Sequence, residues 1–198
     1  MPDRQKSTDS GEDSSTPGSH GNDSFWQRYR QEILFIGIFV AILAGGFTLI
    51  AYQPVNDNVI EPFTGGVAHA SGIALNVIGQ GIEKEGTILR NERFAVNIRN
   101  GCNGVETMII FLAAVISFPA PWKARVVGLV LGILAIQAVN LIRVVALFLT
   151  GAYFPALFDS SHTVIWQTIV ILFGVFLWIF WANRFAGPGT GAPAPAAD

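Results

Sequence analysis

Long uncharged apolar runs separated by polar stretches dominate this chain. Residues 33–51 form 19 positions without a charge, and at about 1.5 Å per residue a helix of that length crosses a hydrocarbon core of roughly 30 Å. Residues 126–150 and 164–182 are two further runs with only a few polar positions. The pattern therefore predicts at least three membrane-spanning helices.

Two weaker runs leave the number of spans open. Residues 105–118 are apolar after Glu106, and they make a crossing only if residues 103–106 form an interfacial first turn. Residues 65–81 contain His69, Asn76 and several glycines, which is typical of an interfacial segment, a re-entrant segment or a poor fifth span. We expect an all-α polytopic membrane protein with about four transmembrane helices and a small outer hairpin or interfacial segment.

The two ends of the chain contain few residues that a core could bury. Residues 1–24 are rich in Ser, Gly and Asp, so we predict a disordered cytoplasmic tail. Residues 186–198 are a low-complexity tail of Pro, Ala and Gly. Residues 25–185 between them are the predicted membrane-embedded domain, and the first run is expected to remain as an anchor because it lacks a signal-peptide cleavage site.

The basic residues near the span ends predict the orientation in the membrane, because cytoplasmic loops are enriched in Lys and Arg. These residues are Arg28, Arg30, Lys123, Arg125 and Arg184. With four crossings, all of them lie in the cytoplasm only if residues 52–102 and 151–163 lie outside and residues 65–81 do not cross.

A short outer segment breaks the helical pattern. Residues 87–89 and 94–98 alternate in the manner of short strands, and Asn91 and Glu92 between them are typical turn residues. This pattern predicts a small hairpin that leads directly into Cys102. An ordered loop without a special role is the alternative.

Composition removes several classes of function. The chain is 51% hydrophobic and 13% charged with a net charge of −2, so no basic excess exists to neutralise a nucleic-acid backbone. One cysteine and three histidines argue against a disulfide framework and against a zinc centre. No metal or organic cofactor is implied.

Three residues suited to acyl transfer are predicted at one depth on the outer face. Cys102 precedes the second span and His162 precedes the last. Arg143 is 17 residues beyond Val126, about 26 Å along a helix that begins at the cytoplasmic face. These positions predict that the three residues lie at one depth on the outer face of the membrane.

Cys102 has the features of a reactive thiol. Asn103 can cap the following helix and Glu106 can occupy the reciprocal position of a capping box. The positive end of that helix, with an arginine nearby, favours the thiolate that attacks carbonyls. Gly101 and Gly104 leave room for a peptide backbone. The alternative is a small buried hydrophobic residue.

The other candidates would support that nucleophile. An arginine within an apolar span usually marks function, and Arg143 would stabilise an oxyanion; the alternative is a side chain that only snorkels to the interface. Asn140 lies one turn earlier and could orient the guanidinium. His162 would transfer protons, or would only belong to a helix cap. Glu106 either caps its helix or pairs with Arg143.

These motifs resemble those of the exosortase and archaeosortase family. The matching residues are Cys102-Asn103-Gly104 at the start of a membrane helix, Asn140-Leu141-Ile142-Arg143 late in another, and His162 before the last. The resemblance runs from about residue 73 to residue 181 and is greatest to the short branch called exosortase H, whose targets carry an IPTL-type C-terminal signal.

The resemblance implies an intramembrane cysteine transpeptidase whose catalytic residues are Cys102, Arg143 and His162. Its substrates would be membrane-anchored proteins with a C-terminal motif, one helix and a basic tail, cleaved at the outer face of a bacterial inner membrane and passed to an unknown acceptor. A hydrolytic thiol protease remains open, and so does a non-catalytic scaffold or transporter subunit.

Overall fold

Most of the chain is helical in the computed structural model, which describes residues 20–160 and 165–185. The long helices are α1 (His20–Ala51), α3 (Glu61–Val77), α4 (Val105–Ser117), α5 (Trp122–Tyr153) and α7 (Trp166–Phe185). The shorter elements are α2 (Gln53–Val55), a π-helical turn (Asn56–Ile60) and α6 (Pro155–Ser160).

Three helices in the described part of the chain are long and apolar enough to cross a membrane: Tyr29–Ala51, Trp122–Tyr153 and Trp166–Phe185. The first two contain the apolar runs 33–51 and 126–150, and the third contains the run 164–182 from residue 166 onward. The protein is therefore a polytopic, largely helical membrane protein, as predicted.

The first helix begins earlier than the apolar pattern indicates. α1 begins at His20, so the prediction of a disordered tail is wrong for residues 20–24. Once the apolar run has formed a helix, adding residues to its end costs little, because nucleation is the unfavourable step. Residues 1–19 and 186–198 lie outside the described part of the chain. The chain divides after Leu34 into two compact units, residues 1–34 and 35–198, and the second contains Cys102 and Arg143.

The predicted second span is a shorter helix than a simple crossing needs. α4 has 13 residues, about 20 Å, because Gly104 before it has a left-handed φ of 78° and prolines follow it. Gly104 nevertheless lies against Asn140, 18 residues and about 27 Å along α5 from Trp122. α4 and the non-helical residues 118–121 that follow it therefore run alongside α5 over most of its length between Trp122 and Asn140.

The region between α1 and α4 consists of a helix and a small sheet. α3 packs on α5 and on the sheet, and it is not among the helices long and apolar enough to cross. The sheet is antiparallel in the order β1 (Glu83–Glu85), β2 (Ile88–Arg90) and β3 (Ala95–Asn97). Strands β2 and β3 confirm the predicted hairpin.

The turn of this hairpin is the one that the sequence predicts. The Oδ1 atom of Asn91 accepts hydrogen bonds from the backbone N–H groups of Arg93 and Phe94, both at 2.9 Å. Strand β1 was not predicted, because its residues, Glu-Lys-Glu, are all charged and exposed and its pairing depends on β2 rather than on an alternating pattern.

Glycines on α5 admit aromatic rings from its neighbours. A side chain at Gly132 would collide with the ring of Phe111 in α4, and one at Gly128 would collide with Trp181 in α7. The indole Nε1 of Trp181 donates to the carbonyl of Ala124 at 2.9 Å. Phe111 and Trp181 belong to one buried cluster, so α4, α5 and α7 are joined around these contacts.

Candidate functional site

Cys102 lies in a tight loop between β3 and α4. Gly101 and Gly104 on either side have φ angles of 89° and 78°, a left-handed conformation that other residues rarely adopt. The backbone N–H of Cys102 donates to the carbonyl of Arg99 at 2.9 Å. The cysteine is only 9% exposed and belongs to a buried cluster with Ile98 and other apolar side chains.

Arg143 reaches this cysteine from α5. Its Nη2 atom lies 3.8 Å from the Sγ atom of Cys102, across 41 residues of sequence. The arginine is only 2% exposed, so the alternative in which it merely snorkels to an interface is wrong. The structure therefore brings Cys102 and Arg143 together. Their placement at the outer face stays a prediction, and so does the position of His162, which lies outside the described residues.

Burial dominates the protonation of Cys102. It raises the pKa of the thiol above its ordinary value; the positive charge of Arg143 opposes this effect, and the negative charge of Glu106 adds to it. The arginine therefore favours the thiolate, as predicted, but the cost of desolvating an anion in this buried loop is larger, and the net shift of the pKa is upward.

The capping prediction is confirmed in part. The Oδ1 atom of Asn103 accepts from the N–H of Val105 at 3.1 Å, and a carboxylate oxygen of Glu106 accepts from the N–H of Gly101 at 2.6 Å. The residue at the N-cap position itself is Gly104. The two side chains thus bond to backbone N–H groups at both ends of the loop rather than to each other's N–H group as in a capping box. The helix begins one residue later than predicted, because Gly104 and not Asn103 is the N-cap residue.

Asn140 is close to the loop but does not hold the guanidinium. It is fully buried, and its amide nitrogen and oxygen have no hydrogen-bond partner among the described residues. It lies beneath Gly104, where an added Cβ would come within 3.1 Å of its Cγ. The glycine therefore lets the loop rest directly on Asn140, and the prediction of a bond to Arg143 is not met.

Glu106 likewise does not form an ion pair with Arg143. Within residues 29–158 and 165–185, the one ion pair joins Arg90 and Glu85. Glu106 acts on the site through its hydrogen bond to the loop and through its charge. In the same part of the chain, no group of three or more His, Cys, Asp or Glu side chains is arranged to hold a metal ion.

Two polar residues that the sequence did not single out contact the loop. Thr64 in α3 accepts from the amide of Asn103 at 2.9 Å. Gln137 in α5 donates to the carbonyl of Asn103 at 3.3 Å. Gln137 was visible as a polar position in an apolar run, whereas a threonine in a helix of mixed polarity gives no such signal.

A comparison with known proteins agrees with this arrangement. The family model described as "Transmembrane exosortase (Exosortase_EpsH)" matches residues 26–182. No curated protein and no solved structure matches the chain significantly. The matched region contains α3, α4 and α5, the helices whose residues contact the Cys102 loop. Since it covers most of the 198 residues, this chain belongs to the transmembrane exosortase family.

Proposed function

We propose that this protein is a membrane-embedded cysteine transpeptidase that cleaves the C-terminal sorting signal of exported proteins through a thioester intermediate. The observation that carries the proposal is the 3.8 Å approach of the Arg143 guanidinium to the Cys102 sulfur in a buried site. A thiol beside a fixed, positively charged guanidinium group is suited to attack on a carbonyl, because the guanidinium can bind the oxyanion that forms.

The proposed reaction has two acyl-transfer steps. His162 removes the proton from Cys102, the sulfur attacks the scissile carbonyl, and Arg143 stabilises the oxyanion. The C–N bond then breaks, and His162 returns the proton to the leaving amine, which leaves a thioester on the sulfur. An acceptor nucleophile attacks this thioester, loses its proton to His162 and releases the product, after which the thiol is protonated again.

The raised pKa of Cys102 fits a resting thiol that becomes a nucleophile only when a base acts. Thiol form and burial both protect the sulfur from reagents in the absence of substrate. A substrate carbonyl placed between the sulfur and Arg143 would replace the contact between them. Its carbon would then face the sulfur, and its oxygen would face the guanidinium. Binding of the substrate helix in the membrane would supply the energy that positions the bond.

The proposed setting is a bacterial inner membrane with the site facing the periplasm. The charge distribution around the spans supports this orientation, with Lys123 and Arg125 at the opposite end of α5 from Arg143. The proposed substrates are membrane-anchored proteins that end in a short motif, one helix and a basic tail. The acceptor is left unassigned.

The experiment is co-expression with a protein that carries such a C-terminal signal, followed by intact-mass measurement of the product. We expect shortening with the wild-type chain and none with Cys102→Ala, and an added mass identifies the acceptor. Ser117→Ala is the matched control, because its hydroxyl donates to the carbonyl of Ala113 in the same helix and the residue lies at the end of α4 away from the loop. Equal processing by wild type and Cys102→Ala would refute the proposal.

Two other functions lead to different products. A hydrolytic thiol protease uses the same residues and gives a shortened product without added mass. A non-catalytic scaffold or transporter subunit leaves the substrate intact, and its function would survive Cys102→Ser. The burial of Arg143 against the chain's one cysteine favours the catalytic functions over the scaffold.

A further inference from the structure

Asn103 has every side-chain polar atom engaged, although it is fully buried. Its Nδ2 donates to the hydroxyl of Thr64 at 2.9 Å and to Oδ1 of Asn100 at 3.2 Å. Its Oδ1 accepts from the N–H of Val105 at 3.1 Å. A helix cap requires only the last of these bonds, so the two donated bonds are additional to the cap.

The two donated bonds and their neighbours tie the loop to three other elements. Thr64 belongs to α3, and Asn100 donates in turn to Asn56 in the π-helical turn at 2.9 Å. From the opposite side, Gln137 of α5 donates to the carbonyl of Asn103 at 3.3 Å. The residue next to the sulfur is therefore held from α3, from the π-helical turn and from α5.

The direction of the bond to Thr64 is fixed by a second contact. The Thr64 hydroxyl donates its own proton to the carbonyl of Ile60 at 2.7 Å, so only its lone pairs face Asn103. The hydroxyl can accept but not donate at this contact. A side chain at position 103 without a hydrogen-bond donor in this place would leave the lone pairs of the buried Thr64 oxygen unsatisfied, which is costly.

Two glycines flank the residues that these bonds hold. Gly101 and Gly104 flank the Cys102–Asn103 pair, and glycines allow many backbone conformations. We propose that Asn103 is a positioning residue that holds the Cys102 sulfur buried against Arg143 through its bond to Thr64. This proposal rests on the proposed function only in taking Cys102 as the nucleophile.

Release of the loop would have opposite effects on two reactivities. A freed sulfur is more exposed, and because burial is the main cause of its raised pKa, its pKa would fall towards the ordinary value. Alkylation by a small reagent would then become faster and its pH midpoint lower. Processing of a substrate would become slower, because the sulfur would no longer be held beside Arg143.

The test uses the full chain in detergent with iodoacetamide. Cys102 is the one cysteine in the sequence, so every cysteine adduct reports this site. Thr64→Val removes the acceptor at nearly constant shape, and Asn103→Ser keeps an oxygen for the helix cap while removing the amide nitrogen that makes both donated bonds. Thr64→Ser retains the hydroxyl and serves as the rescue. Ser117→Ala removes a buried hydroxyl that bonds within its own helix and serves as the control.

We expect Thr64→Val and Asn103→Ser to be alkylated about tenfold faster, with a lower pH midpoint, and to process substrate about tenfold more slowly. Thr64→Ser and Ser117→Ala should match the wild type. Unchanged alkylation in both test variants, or equal acceleration in Ser117→Ala, would overturn the proposal. Because alkylation needs no substrate, failure of the proposed function would appear separately, as processing that persists in Cys102→Ala.

Discussion

The two ends of α4 are stabilised by different interactions. At its start, Asn103 of the Cys102 loop donates a hydrogen bond to Thr64 of α3 and accepts one from Gln137 of α5. Further along, Phe111 fills the space above Gly132, and Phe118 packs edge-on against Trp178 at a centroid distance of 5.8 Å. Directional polar contacts hold the first region, and complementary volumes hold the second.

This difference follows from the surroundings of each end. Lipid is as apolar as leucine, so helices within a membrane associate through close packing at small residues rather than through a hydrophobic driving force. A loop has no regular helical face to pack, and the buried N–H and C=O groups of its backbone need hydrogen-bond partners. We therefore expect the loop to be sensitive to chemically small changes and the bundle to be sensitive to changes in volume.

The largest effect is expected at Arg143. Arg143→Lys keeps a charge but loses the planar fork, and Arg143→Ala loses both, so product formation should fall about 10²–10³-fold for the alanine variant and to a lesser extent for the lysine variant. Rates of product formation under single-turnover conditions provide the measurement.

Arg125→Lys is the matched control, because this arginine bonds to the carbonyl of Phe118 at the other end of α5. If product formation fell equally in Arg125→Lys and Arg143→Lys, the loss would reflect a general effect on α5. The distinction between the Cys102 loop and the packed region would then fail.

The next largest effect is on stability, in the packed region. Gly132→Ala places a methyl group against the ring of Phe111, and such overpacking costs about 1–3 kcal/mol of unfolding free energy. Gly37→Ala is the control, because nothing lies within 4 Å of that position. Thermal unfolding in detergent should distinguish the two variants, and Phe111→Leu should restore much of the loss in Gly132→Ala. Equal unfolding temperatures for the two alanine variants would contradict the packing account.

A smaller effect concerns the pH dependence of Cys102. Only the thiolate is alkylated, so a raised pKa moves the alkylation midpoint to higher pH. The Glu106 charge raises the pKa and the Arg143 charge lowers it, so Glu106→Gln should move the midpoint down and Arg143→Gln should move it up. The glutamine at position 106 retains an oxygen for the N–H of Gly101. Shifts in the same direction for both variants would contradict the assigned causes.

The smallest effect is expected at Asn140. Its buried amide bonds to no described residue, so Asn140→Leu, which has a similar volume, should leave the unfolding free energy unchanged or raise it by about 1 kcal/mol. Chemical denaturation provides the measurement. A loss of about 1–3 kcal/mol would instead show that the amide has a partner in the folded protein.

The sequence predicted the helices and the Cys102–Arg143 pair for clear physical reasons. Apolar runs long enough to cross a bilayer are unambiguous, and a charge in such a run must find a polar neighbour. The hairpin was also predicted, because Asn91 has the chemistry of its turn.

Other features depend on contacts that leave no local pattern. The charged strand β1 forms only because β2 is beside it. The raised pKa of Cys102 depends on how deeply the loop is buried, and the role of Thr64 depends on a partner 39 residues away.

The most direct test of the Cys102–Arg143 account is capture of the acyl-enzyme. Wild-type protein incubated with substrate in detergent and quenched in acid should carry a covalent adduct on Cys102 with the mass of the substrate's N-terminal fragment, and hydroxylamine should release it. Arg143→Ala should accumulate far less of this adduct at equal times. Cleavage that proceeds without an adduct on Cys102, and that persists in Cys102→Ala, would contradict the account.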